Sequence, residues 1–165
     1  MAYVFNADEI LEMAIKIEEN GAAFYRKASE LQKDASDQDF LTRLAVMEDS
    51  HKVTFAEMKG HVTELEKSKT VFDPNGELSA YLSAMVDSHG GEGSPDAVKA
   101  LTGSETMEEI ISTAIGLEKD SILFYLGLRD LVPPKFGRDK IDDIIREERK
   151  HIVQLTYLLR KIKTK

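Results

Sequence analysis

The chain has 165 residues, 42% of them hydrophobic and 32% charged, with a net charge of −8 and no cysteine. The length suffices to bury a domain-sized core, and the acidic balance argues against nucleic acid or an anionic membrane as partner, since both demand clustered Lys and Arg. Without cysteine there is no disulfide, no thiolate nucleophile and no Cys-bound metal. The start, Met1 to Asn6 followed by Asp8 and Glu9, does not read as a signal peptide. No stretch approaches the roughly 20 apolar residues of a membrane helix. The expectation is a cytoplasmic protein.

Four long helical patterns run along the chain. In the first, Ile10, Ala14, Ile17, Gly21, Phe24, Ala28 and Leu31 recur at alternating steps of four and three, the apolar seam of a bundle helix. Asn6 with Glu9 reads as its capping box. The second is expected from about Asp37 to Lys67, with Leu41, Leu44, Phe55, Met58, Val62 and Leu65 in the seam and Glu48 and His51 among them. A long connection follows, from about Ser68 to Glu105. It holds the turn signal Asp73-Pro74-Asn75-Gly76 and a short amphipathic stretch around Leu78, Tyr81, Leu82, Met85 and Val86. A Gly-rich run from His89 to Ser94 reads as a loop. The third pattern starts near Thr106, with Glu109 completing a capping box, and stops at Pro133 and Pro134. Its seam is Ile110, Ala114, Leu117, Ser121, Phe124, Leu128 and Leu131. The fourth starts near Gly137 and carries Ile141, Ile145, Glu148, Ile152, Leu155, Leu159 and Ile162.

Short links join the first helix to the second and the third to the fourth. Each pair is therefore expected to form an antiparallel hairpin, over about 7–67 and about 106–163. The expected fold is all-α, one domain: a four-helix bundle of two hairpins with one long crossover at about 68–105, the ferritin-like topology.

The two hairpins repeat each other. A shift of one hundred residues, without a gap, carries Glu18, Tyr25, Glu48 and His51 onto Glu118, Tyr125, Glu148 and His151. Twelve of the 58 pairs between 8–65 and 108–165 are identical, against roughly one in fifteen for unrelated sequences of ordinary usage. Periodicity alone does not match Glu, Tyr and His. Duplication does, and it predicts a pseudo-twofold axis that brings the two copies of each polar group together.

Glu48 and His51 lie three residues apart, about 60° around a helix and one turn along it. Glu148 and His151 repeat that spacing. Both pairs occupy seam positions, where a lone carboxylate is costly or takes up a proton. Glu18 and Glu118 complete four carboxylates and two imidazoles, a set that suits two metal ions. Glu19 competes with Glu18, but its repeat partner is Lys119, which in its protonated form cannot ligate. Tyr25 and Tyr125 lie about two turns beyond Glu18 and Glu118 on the same stripe. Each is a candidate to hydrogen-bond and orient a liganding carboxylate, and to lend an electron or proton. Carboxylate-rich sites with one His per metal suit iron or manganese, while structural zinc favours Cys and His. His61 lies off this stripe and His89 in the Gly-rich loop; both read as solvated.

A Glu in helix one, Glu-x-x-His in helix two, and the same again in helices three and four resembles the di-iron carboxylate signature. The runs from Ile17 to Tyr25 and from Leu117 to Tyr125 are similar to the rubrerythrin branch in particular. The resemblance covers all four helices. It implies a ferritin-like bundle with Glu18, Glu48, His51, Glu118, Glu148 and His151 holding two iron ions, with manganese or zinc as alternatives. It further implies an oxidoreductase acting on H2O2 or O2. Two departures matter. Rubrerythrin carries a rubredoxin-like domain with four cysteines, and this chain has none, so electrons are expected from a separate donor such as a rubredoxin-like protein. Rubrerythrin also has a further Glu three residues after the third-helix ligand. Here that position is Ser121, with Gly21 as its repeat mate, which puts a redox-linked exchange of Glu and His ligands in question. Competing readings are a ferroxidase or iron-storage protein and a metal-stabilised structural module. A homodimer is the expected assembly.

Overall fold

The computed structural model describes residues 7–62, 96–132 and 138–164, with positions 75, 77, 80, 81, 84 and 134 between them. Every element among them is a helix: α1 (Ala7–Leu31), α2 (Ala35–Gly60), α3 (Asp96–Ala100), α4 (Met107–Leu131) and α5 (Arg138–Lys163). No helix among the described residues is long and apolar enough to cross a membrane.

The helix starts follow from local chemistry. Asp34 caps α2, its carboxylate accepting from the backbone N–H of Ser36 at 2.8 Å and of Asp37 at 3.2 Å. These are donors that the first helical turn leaves without an intrahelical partner. Thr106 and Glu109 close the expected capping box on α4: Thr106 Oγ1 accepts from Glu109 N–H, and Glu109 accepts from Thr106 N–H at 2.8 Å. Just upstream, Gly103 has φ of +90°, which an L side chain would resist. The expected capping box at Asn6 lies outside the described residues.

α2 ends at Gly60, short of the expected Lys67. The apolar spacing continues to Val62 and Leu65, but Gly60 is a poor helix residue, and the end is capped by the His61 N–H on the Met58 carbonyl at 3.1 Å and the Val62 N–H on the Lys59 carbonyl at 3.2 Å. Val62 leaves the helix yet still packs on the core. Leu65, Lys67 and His89 lie outside the described residues. In the crossover, positions 77, 80, 81 and 84 are helical, as the amphipathic stretch there predicts, and the Tyr81 hydroxyl donates to the Leu123 carbonyl at 3.0 Å. The five-residue α3 has no counterpart among the sequence expectations.

Cross-contacts fix the helix directions. Ser29 Oγ lies 3.0 Å from Thr42 Oγ1, while Lys59 pairs with Glu12 at the other end, so α1 and α2 run antiparallel. Arg138 Nε donates to the Val132 carbonyl at 2.7 Å and closes the link between α4 and α5. Tyr25 meets Glu118 and Tyr125 meets Glu18, which makes α1 and α4 antiparallel as well. The core divides into two apolar clusters at opposite ends of the bundle. One contains Leu11, Phe55, Phe124 and Ile141, the other Phe24, Leu41, Ile110 and Leu155. Buried Glu and His residues lie between them in sequence on all four long helices.

Replacing Thr106 with Ala removes the cap hydroxyl from α4. The expected loss is about 1 kcal/mol, read as a lower urea midpoint with unchanged slope. An unchanged midpoint would show that this cap contributes nothing.

Candidate metal centre

The middle layer of the bundle holds all six side chains that the repeat singles out. Glu18 and Glu118 are fully buried, and Glu48, His51, Glu148 and His151 are at most 2% exposed. Glu19 lies on the surface and pairs with Lys16 at 3.1 Å, so it takes no part.

Their ligand atoms fall into two groups. Glu18, Glu48, His51 and Glu148 form one; Glu48, Glu118, Glu148 and His151 form the other. Within each group the atoms lie within 4.8 Å of one another. Glu48 and Glu148 belong to both. His51 Nδ1 sits 3.0 Å from Glu148 Oε1 and 3.3 Å from Glu18 Oε2. His151 Nδ1 sits 2.9 Å from Glu148 Oε2 and 3.3 Å from Glu118 Oε1. Thus Glu148 stands between the imidazoles, one oxygen toward each. The two rings stack at 20° with centroids 5.9 Å apart.

Both tyrosines are fully buried and both hydrogen-bond a carboxylate of the cluster, but in the opposite half of the repeat. Tyr25 donates to Glu118 Oε1, and Tyr125 donates to Glu18 Oε1. Each also packs edge-on against its neighbouring Phe, at 5.5 Å for Phe24 and 5.8 Å for Phe124. Ser121 is buried, but its hydroxyl turns back to the Leu117 carbonyl at 3.1 Å. His61 is exposed, at the end of α2.

One residue that sequence reasoning missed joins the site. Glu147 Oε2 lies 2.7 Å from His51 Nε2, the ring nitrogen that faces away from the cluster. Its signal in the sequence is faint: a second Glu beside Glu148, at a position where the other half has Met47.

The donor set fits a pair of metal ions. Glu18 Oε2, both oxygens of Glu148 and His51 Nδ1 are buried, approach one another closely, and meet no other polar group in hydrogen-bond geometry among the described residues. Such atoms are rare unless something binds them. Two divalent cations match four carboxylates in charge. In the metal-free chain, protons do this work. Burial acts to lower the pKa of His51, but Glu148 and Glu18 outweigh it and push it up to about 12. His151 is likewise lowered by burial and raised more by Glu118 and Glu148, to about 9. Burial and the charge of Glu148 push Glu118 up to about 8. Burial acts to raise Glu148, yet the bonds from His151 and His51 bring it down to about 2.

No family model and no curated protein matches the chain. A solved structure does: a Thermotoga maritima protein described as ferritin-like and diiron-carboxylate, 24% identical, with a TM-score of 0.72 over 97% of this chain and 98% of that one. The fold is ferritin-like.

The raised pKa values set a pH dependence for the metal-free protein. Folded His51 and His151 keep protons that the unfolded chain releases near pH 6.5, and folded Glu118 keeps one that it releases near 4.5. This stabilisation is complete below those unfolded values and is lost as pH rises through about 8 for Glu118, about 9 for His151 and about 12 for His51. Chelator-treated protein should therefore melt at a lower temperature at pH 9 than at pH 6.5, followed by circular dichroism. A divalent metal should remove the drop. Equal melting at both pH values without metal would contradict the proton-held centre.

Proposed function

We propose that this protein is a non-haem di-iron oxidoreductase of the rubrerythrin type, reducing H2O2 or O2 with electrons from an external donor. The carrying observation is the pair of four-residue ligand groups that share Glu48 and Glu148 in the core. Glu18 and His51 would complete the ligands of one iron, Glu118 and His151 those of the other. Four carboxylates with one imidazole per ion favour iron or manganese over structural zinc. The description of the Thermotoga protein as diiron-carboxylate supports iron.

A bound iron pair supplies two electrons, which with two protons reduce H2O2 to two waters. The chain's residues set the conditions for that chemistry. The carboxylates neutralise the ions, and the apolar clusters on either side keep bulk water from the layer. The Tyr25 and Tyr125 hydroxyls fix Glu118 and Glu18 in orientation and hold protons at Glu118 Oε1 and Glu18 Oε1. Ser121 and Gly21 leave the rubrerythrin-type extra carboxylate unsupplied. A bound iron pair would therefore have no such carboxylate to take up in place of a His on a change of redox state. No cysteine is present to hold a rubredoxin-type iron, so a separate protein such as a rubredoxin delivers the electrons.

Iron-loaded, reduced protein should consume H2O2 over many turnovers when supplied with reduced rubredoxin. Glu148→Ala removes a carboxylate common to both ligand groups and should lower that rate by at least about a hundredfold. A single stoichiometric oxidation without turnover would overturn the reading in favour of iron handling.

A further inference from the structure

The two halves of the centre differ behind the imidazoles. Both histidines turn Nδ1 toward the carboxylates. Behind His51, Nε2 meets Glu147 Oε2 at 2.7 Å. Behind His151, Nε2 is buried and has no hydrogen-bond partner among the described residues. The repeat explains the difference: the counterpart of Glu147 is Met47, whose thioether is at best a weak acceptor. A carboxylate that accepts from Nε2–H fixes the tautomer that leaves Nδ1 free to ligate. It also orients the ring and raises its basicity.

Glu147 is placed to do this without being part of the cluster. Its side chain is 41% exposed, whereas that of His51 is 3% exposed. It lines a pocket of about 240 Å³ between α2 and α5, together with Ser50, Thr54, Lys140 and Asp143, and His51 forms part of the wall. Solvent keeps the Glu147 carboxylate hydrated while one oxygen reaches the buried ring.

We infer that Glu147 is a positioning residue that acts through His51 and makes the two metal positions inequivalent, strengthening the Glu18–His51 position alone. The inference rests on the metal reading above. It concerns affinity, so it can be read without any turnover.

The test is a titration of the metal-free full chain with Co²⁺, followed by the visible absorption of the bound ion. Wild type should take two equivalents. In Glu147→Ala, one equivalent should weaken by about ten- to a hundredfold, while the other, coupled to it only through Glu48 and Glu148, should weaken by clearly less. Glu147→Gln should weaken the same equivalent by less, because its amide oxygen still accepts from Nε2–H. The half-exposed position leaves the fold intact, which circular dichroism would verify. Two equivalents of unchanged affinity in Glu147→Ala, or two weakened alike, would overturn the inference and leave the metal reading standing. Failure of wild type to bind Co²⁺ would overturn the metal reading itself.

Discussion

The structure depends on one constraint: four carboxylates share the middle of a protein core. Burial of a single charge without compensation is unfavourable by several kcal/mol, and Glu18, Glu48, Glu118 and Glu148 lie within one layer. Hydrogen bonds from two tyrosines and protons on two imidazoles, or the metal ions that would displace those protons, make the layer tolerable. The apolar clusters at either end provide the rest, since large side chains such as Phe24, Phe55 and Phe124 are almost fully buried there. Stability thus comes from the ends of the bundle, while its middle holds the buried charge.

Neither half can satisfy this layer alone. Glu148 reaches a histidine from each half, and each tyrosine serves the carboxylate of the other half. The pseudo-twofold relation is therefore a requirement for satisfying buried polar groups as well as a trace of duplication. Beside the layer the halves have diverged. Glu147 faces Met47 across the repeat, and Lys140 faces Phe40. As a result a polar pocket lies beside His51, while Phe40 lines a more apolar groove with Val153 and Tyr157.

Much of this was legible in the sequence because a buried charge at a seam position is unusual and a repeated one more so. Glu18 could be separated from Glu19 by comparison with Lys119, and the structure puts Glu18 in the core and Glu19 at the surface. Helix ends were less legible. Apolar spacing carries the second helix past Gly60, but a glycine with its successor's N–H on the previous turn ends it there. Glu147 was hidden because it stands next to Glu148 on a helix where most acidic side chains face water. Only its distance to His51 distinguishes it from a solvated Glu. The tyrosines were placed near the correct residue type but assigned no half, because a helical stripe shows which groups share a face and not what faces them.

The crossover explains why the tyrosines change partners. α2 ends beside the start of α1, where Lys59 meets Glu12, whereas α4 begins at the other end, where Lys163 meets Glu108. The chain must travel the length of a 25-residue helix between them, about 38 Å at 1.5 Å per residue. Fully extended, about a dozen residues would suffice, so residues 61–106 leave ample room for helical turns such as the one that ties Tyr81 to Leu123. A short link would instead set α1 and α4 parallel. Glu18 and Glu118 would still meet at mid-height, since both lie near the centres of their helices. Tyr25, seven residues or about 10 Å further along, would then stand level with Tyr125, and both would crowd one side of the layer. The antiparallel arrangement puts Tyr25 in one apolar cluster and Tyr125 in the other, on opposite sides of the layer, from where their hydroxyls reach Glu118 and Glu18. The long crossover therefore gives each side of the layer one tyrosine, and each tyrosine holds one outer carboxylate in place.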